Sequence, residues 1–261
     1  METISFAVSQ PLCRDFELLV QQRIVSRNAH RIADLGGGAN PMLSASFCRR
    51  YDLDYSVVDI SEEELAKAPA GVRRVHVDLG SRDFTWQGER YDLVFSRMVA
   101  EHMPDGRQFH RNVLELVAPG GLALHCFPTL YSLPFLVNRV VSQRFSSWLL
   151  KRVQPRDRYR HAKFPAHYSW CRGPSRRQCR RFTSLGYDVV EYQGYFGHPY
   201  FEAVPWLDAC ERRVAAWLAL HPLPLGTSYA YLTLAKPARQ AATAVAPAWH
   251  GHLFPEARWL G

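Results

Sequence analysis

Three consecutive glycines, Gly36 to Gly38, stand between a carboxylate two positions upstream, Asp34, and a carboxamide two positions downstream, Asn40. Glycine lets the main chain bend sharply and approach a ligand that a Cβ would hold away. The run is therefore a candidate ligand-binding turn. A dinucleotide fingerprint asks for Gly-x-Gly-x-x-Gly, and the sixth position counted from Gly36 is Pro41, which argues against a nicotinamide oxidoreductase. Two further aspartates each follow a short apolar run: Asp59, 25 residues after Asp34, and Asp78. Histidine is the side chain best matched to taking a proton near neutral pH. His102, within Ala100 to Pro104, His125, and His167 followed by Tyr168 are the candidates, each with a packed structural histidine as its competing reading. No ligand cluster for a metal is visible.

These residues need elements to position them. Apolar residues at Leu12, Phe16, Leu19, Val20, Ile24 and Val25 predict an amphipathic helix over 11–26. The period then changes. Residues 31–35, 55–59, 72–77, 91–95 and 122–127 read as strands, with helices expected over 41–50, after Ser61-Glu-Glu-Glu64, and over 105–117. Residues 187–192 and 229–234 read as two late strands separated by a helix around 206–220. Such alternation predicts an α/β fold, a doubly wound, seven-stranded, mostly parallel sheet. Ligands in such sheets sit beyond the carboxyl ends of the strands, where strand order reverses. The first strand-to-helix turn, Gly36 to Gly38, stands at that end.

The run Asp34-Leu-Gly-Gly-Gly-Ala-Asn40 resembles the first motif of class I S-adenosylmethionine-dependent methyltransferases, commonly Asp/Glu-x-Gly-x-Gly-x-Gly. Asn40 replaces the last glycine, and Asn also accepts left-handed backbone angles. Asp59 matches the acidic residue that in this family holds both ribose hydroxyls, a role suited to a carboxylate because it accepts two hydrogen bonds. Asp78 matches the position near the adenine amino group. Residues 91–97 and 116–122 are similar to the family's fourth-strand motif and its Pro-Gly-Gly turn, so the resemblance spans roughly residues 31 to 127. It implies a Rossmann-like fold, S-adenosylmethionine as cofactor, and a cofactor site made of Asp34, Gly36, Gly37, Gly38, Asn40, Asp59, Ile60, Asp78, Leu79, Ser96 and Arg97. His102 belongs to a Glu-His pair that recurs in related methyltransferases beside the cofactor cleft. His167 and Tyr168, in the region that varies between substrates, are expected on the acceptor side.

The 261 residues, 47% hydrophobic and 21% charged, suit one globular domain over 1–235, followed by an Ala- and Pro-rich tail over 236–261. Six cysteines without a Cys-x-x-Cys pair indicate neither a zinc ribbon nor a disulfide scaffold, and a cytoplasmic location is expected. Met1 to Gln10 lacks the features of a secretory signal. The apolar window 130–150 is interrupted by Asn138, Arg139, Gln143 and Arg144, which argues against a spanning helix.

The net charge of +8 is concentrated in one place. From Arg139 to Arg181 there are thirteen Lys and Arg and one acid, Asp157, a local sum of +12. With interleaved aromatic and aliphatic residues, residues 128–181 are expected to form a lid after the fifth strand. The segments 127–131 and 164–168 resemble those of bacterial methyltransferases and imply no particular substrate. The expected activity is in-line methyl transfer, chiefly to oxygen, on a small or lipid- or glycan-linked acceptor bearing negative charge, as in biosynthetic tailoring; nitrogen and carbon acceptors remain alternatives. The basic insertion could also touch an anionic membrane surface peripherally. The rival is a non-catalytic module binding RNA or membrane on the same fold; nucleic acid is disfavoured because Ser96-Arg97-Met98-Val99 lacks the Asn-Pro-Pro-Tyr-like run associated with base methylation.

Overall fold

The computed structural model describes residues 3–8, 12–130, 165–198 and 205–238. Their centre is a run of short strands with buried apolar middles. β2 (Arg31–Leu35), β3 (Asp54–Asp59) and β5 (Tyr91–Arg97) bury Ile32, Leu35, Val57, Val58, Leu93 and Phe95 completely, as strands covered on both faces must. Parallel pairing sets Ile32 against Tyr55 on one side and against Leu93 on the other. β4 (Arg73–His76) extends the sheet beyond β3. β6 (Val117–Pro128) lies beside β5. The late strands β7 (Asp188–Phe196) and β8 (Tyr229–Ala235) complete the predicted set, β8 running antiparallel between β6 and β7.

Among the described residues the sheet has eight strands rather than seven, in the order β1-β7-β8-β6-β5-β2-β3-β4. The addition is β1 (Thr3–Val8), which pairs in parallel with β7 from Thr3 opposite Glu191 to Val8 opposite Phe196. Its alternation of Ile4, Phe6 and Val8 is a strand signal, and Phe6 stacks on Phe196 at 5.7 Å. Strand order reverses between β2 and β5, because the chain travels outward through β3 and β4 before returning. Their carboxyl ends are the place for a ligand.

Helices brace this frame. α1 (Leu12–Arg27) buries Phe16, Val20 and Ile24, with Phe16 against Tyr231 and Arg23 paired to Glu191 at 2.9 Å. α2 (Ala45–Arg50) and α3 (Glu62–Ala66) are capped by Ser44 and Ser61, whose hydroxyls accept from Phe47 and Glu64 N–H. α4 (Gly106–Leu116) starts at Asp105, which accepts from both Arg107 and Gln108 N–H, and buries Phe109, Val113 and Leu116 at helical spacing.

After Leu130, residues 131–164 lie outside the described set, and with them most of the expected lid. Its ends are tied down: Leu130 N–H donates to the Cys171 carbonyl at 3.1 Å. The last part of the expected lid belongs to the domain instead. α5 (Arg176–Thr183), capped by Ser175, packs on β7 and buries Cys179 and Phe182. Its apolar residues fit the sheet, so the basic ones face outward and the charge run extends past any lid. α6 (Pro205–Leu220) packs on β1 and β7. All but the first three residues of the expected tail, 236–261, fall outside the described residues.

Candidate functional site

Asp34 is the last residue but one of β2 and is buried, 3% exposed. Its Oδ2 accepts from Tyr55 Oη at 2.7 Å and from Met42 N–H at 2.8 Å, while Tyr55 Oη also takes the Leu43 N–H at 3.3 Å. Burial pushes the Asp34 carboxyl up to about 6, against the opposing pull of those hydrogen bonds and of Arg97. Asp34 therefore braces both ends of the glycine turn from beneath. The sequence placed it at the cofactor, whereas its hydrogen bonds point to the loop.

The turn itself is shaped by contact on every side. Gly36 holds φ +74° and donates to the Val58 carbonyl at 2.7 Å; a Cβ there would lie 2.4 Å from Val99 Cγ2. At Gly37 a Cβ would lie 2.8 Å from Asp34 Cγ. At Gly38, φ +41°, it would lie 3.0 Å from Asp59 Oδ2. Backbone of this kind is available to glycine at little cost. Asn40 closes the turn by donating its N–H to the Gly37 carbonyl at 2.8 Å, without adopting a left-handed angle. The expected reason for tolerating Asn there is thus replaced by a plain turn hydrogen bond.

Asp59 stands half-buried at the end of β3, its Oδ1 accepting from Ser61 N–H at 2.9 Å and its Oδ2 facing Gly38. Ile60 follows with 53% of its surface exposed, an apolar side chain left open beside a carboxylate. Asp78 is exposed, and its Oδ1 accepts from Gly80 N–H at 2.7 Å, in a turn that brings Gly80 toward Met103. Leu79 belongs to the core instead, with its carbonyl held by Asn112. Ser96 is likewise interior, its hydroxyl 2.7 Å from His125 Nδ1. The side chains of Leu79, Ser96 and His125 are thus all packed in the interior. Arg97 stays partly exposed and close enough to Asp34 to act on its charge.

The three expected catalytic residues meet at one junction. A 3-10 turn, Ala100–His102, follows β5, and the Glu101 carbonyl accepts from both His167 N–H, at 2.7 Å, and Tyr168 N–H, at 2.9 Å. His102 Nδ1 lies 3.1 Å from the Pro165 carbonyl, and its Nε2 lies 3.8 Å from Glu101 Oε1. His167 is exposed; Tyr168 is buried with φ +52°, which makes its phenol part of the packing.

Sequence reasoning passed over Glu101. Its carboxyl is buried, Oε2 has no hydrogen-bond partner among the described residues, and desolvation pushes it up to about 8. Its only sequence signal was its place beside His102. Val99, the wall of Gly36, and Tyr55, the brace of Asp34, were also missed, since only packing reveals them. Among the described residues no group of three His, Cys, Asp or Glu could hold a metal ion.

Residues 10–192 match the family described as a methyltransferase domain. Among curated proteins, the methyltransferase str2 of Strobilurus tenacellus is 26% identical over 94 residues, covering 36% of this chain and 34% of that protein. The chain thus spans about a third of that relative's length. Among solved structures, an S-adenosylmethionine-dependent methyltransferase from Clostridium acetobutylicum superposes with a TM-score of 0.51 at 10% identity, covering 86% of this chain and 92% of that one. The (4+2)-cyclase SpnF superposes with a TM-score of 0.50 at 17% identity, covering 89% and 83%. At these identities the structural likeness establishes the fold.

Proposed function

The chain belongs to the methyltransferase domain family, and we propose that it is an S-adenosylmethionine-dependent methyltransferase that methylates an oxygen of a small-molecule acceptor held beside the 100–103 turn. A fold shared with a cyclase does not by itself define a reaction, so the reading rests on the site. The observation that carries it is the approach of Gly38 to Asp59, where a Cβ would press on the carboxylate at 3.0 Å, so that a carboxylate stands next to a bare main-chain turn.

The residues present fit the cofactor. Asp59 offers a carboxylate able to accept from a ribose diol, Ile60 offers an exposed apolar face for a purine, and Asp78 can accept from an exocyclic amine. The cofactor supplies an electrophilic methyl group on a cationic sulfur. Methyl transfer is in-line displacement, so the protein's task is positioning in a site from which water is excluded. An alcohol acceptor must also lose a proton. His102, next to Glu101 in the turn, and the exposed His167, whose N–H donates to the Glu101 carbonyl, are the groups suited to receive it. An anionic acceptor is supported by the excess of Arg and Lys in the chain after β6, of which Arg176, Arg177 and Arg180 are exposed on α5.

Calorimetric titration with S-adenosylmethionine tests the reading. Asp59→Ala should weaken binding by about tenfold or more, the worth of one or two charge-assisted hydrogen bonds, with an unchanged circular dichroism spectrum. Unchanged affinity would remove Asp59 from the cofactor site. In methyl-transfer assays with an accepted substrate, His102→Ala or His167→Ala should lower turnover more than cofactor affinity.

A further inference from the structure

α6 turns one side to the sheet and the other to solvent. On the inner side Ala215 is 2% exposed and lies against Gly197. On the outer side Trp206, Val214, Trp217 and Leu220 are 69%, 57%, 58% and 78% exposed. At 3.6 residues per turn these four fall within an arc of about 120°, and the two tryptophans stand about 16 Å apart along the axis. Leu223 and Leu225 continue the apolar surface past the helix end, each more than half exposed. Soluble proteins rarely leave a contiguous patch of this kind open without a use.

The charges beside the stripe select its occupant. Both acids of α6 are drawn inward: Asp208, paired with Arg212 at 3.1 Å, has a side chain 14% exposed, and Glu211, which accepts from His198 N–H, 17%. Arg213 is exposed within the stripe itself, and Arg212, 69% exposed, stands beside it in its pairing with Asp208. The surface therefore combines tryptophans and leucines with exposed cations and no exposed anion on the helix. We propose that α6 is a docking surface that seats on an anionic lipid bilayer, with Trp206 and Trp217 at headgroup level. Amphipathic tryptophan favours that zone, and cations beside it gain from anionic headgroups. A second copy is the weaker occupant. A two-fold pairing centred on the stripe would be centred on Arg213, midway between Trp206 and Leu220, and would oppose it to itself.

α6 joins the end of β7 to the start of β8, so it lies at the carboxyl ends of the parallel strands, as the glycine turn does. A docked molecule therefore holds the cofactor end of the sheet near the lipid. The docking surface does not depend on the assignment of the methyl acceptor.

The experiment is flotation of the full chain with vesicles of phosphatidylcholine containing phosphatidylglycerol, and with phosphatidylcholine alone. The chain should float with the anionic vesicles and not with the neutral ones, and its tryptophan emission should shift to the blue. Trp206→Ala with Trp217→Ala should weaken partitioning by roughly tenfold or more while S-adenosylmethionine binding, read by calorimetry, stays unchanged. Arg213→Glu should weaken it on anionic vesicles. Should the double variant fail to fold, Val214→Ser with Leu220→Ser, which removes apolar surface without changing the charge, carries the same expectation. Absence of wild-type flotation overturns the proposal, as does equal flotation of all variants, which would place binding in the basic insertion. A dimer that Trp217→Ser dissolves would assign the stripe to copy-to-copy contact and overturn it too.

Discussion

Glu101 keeps a carboxyl where water does not reach it, and the protonated form is the one that the site tolerates. His102 Nε2 lies 3.8 Å from its Oε1, and the Cys171 thiol is raised chiefly by burial, with the charge of Glu101 adding to the rise. The folded state holds a proton here up to about 8, and the unfolded chain releases it near 4.5. Between those limits the folded state binds more protons, so this group makes stability fall as pH rises from about 4.5 to 8. Glu101→Gln should remove that slope and leave the variant relatively more stable at pH 8, read as the difference between the two melting-temperature profiles. Parallel profiles would show that the carboxyl is ionised in the fold. Asp34, raised to about 6, acts with the same sign over a lower range and is common to both proteins.

At the scale of the element, the glycine turn works because β2, β3 and the β5 exit meet around it. Gly36 has two reasons to be glycine: its φ of +74° and the Val99 methyl that a Cβ would strike. Gly36→Ala should cost about 1–3 kcal/mol, from the left-handed angle and the clash together, and should also weaken S-adenosylmethionine binding. Denaturant melts and calorimetry read the two effects. Adding Val99→Ala should recover the steric share and leave the conformational share. Full recovery would mean that the angle relaxes. The turn's position was legible because three glycines after an apolar run are a local signal. Val99, sixty-three residues away in the chain, carries no such signal.

Over the whole molecule, one buried cluster fastens the chain that returns after residue 164 to the sheet. His110 of α4 and His125 of β6 stand 4.9 Å apart, ring to ring, with Trp170 and Phe182 against His110. Among the described residues His110 Nδ1 and His125 Nε2 have no hydrogen-bond partner. Burial lowers both, His125 to about 3 and His110 well below its usual value, so the fold holds them neutral. The unfolded chain protonates them below about 6.5, and the stability they allow is lost as pH falls from there. By pH 5 His125 alone should cost roughly 2 kcal/mol, opposite in sign to Glu101. Ser96→Ala with His125→Leu should flatten the acid side of the melting-temperature profile relative to wild type. An unchanged acid side would mean that the cluster opens to water.

What the chain determined by itself was everything that repeats locally: the strands from residue 31 to 127, the glycine turn, and the carboxylates that end consecutive strands. Periodicity and turn chemistry are properties of neighbouring residues, so they can be read without the fold. Even β1 had its alternation, overlooked because six residues make a strand only when a free sheet edge such as that of β7 awaits them. Tertiary structure decided where each side chain points. It turned Asp34 under the loop, took Ser96 and Leu79 into the core, and set Glu101 between His102 and the chain returning at Pro165. Those outcomes depend on partners from distant strands and on the desolvation that they impose, and neither quantity is present in a run of neighbouring residues.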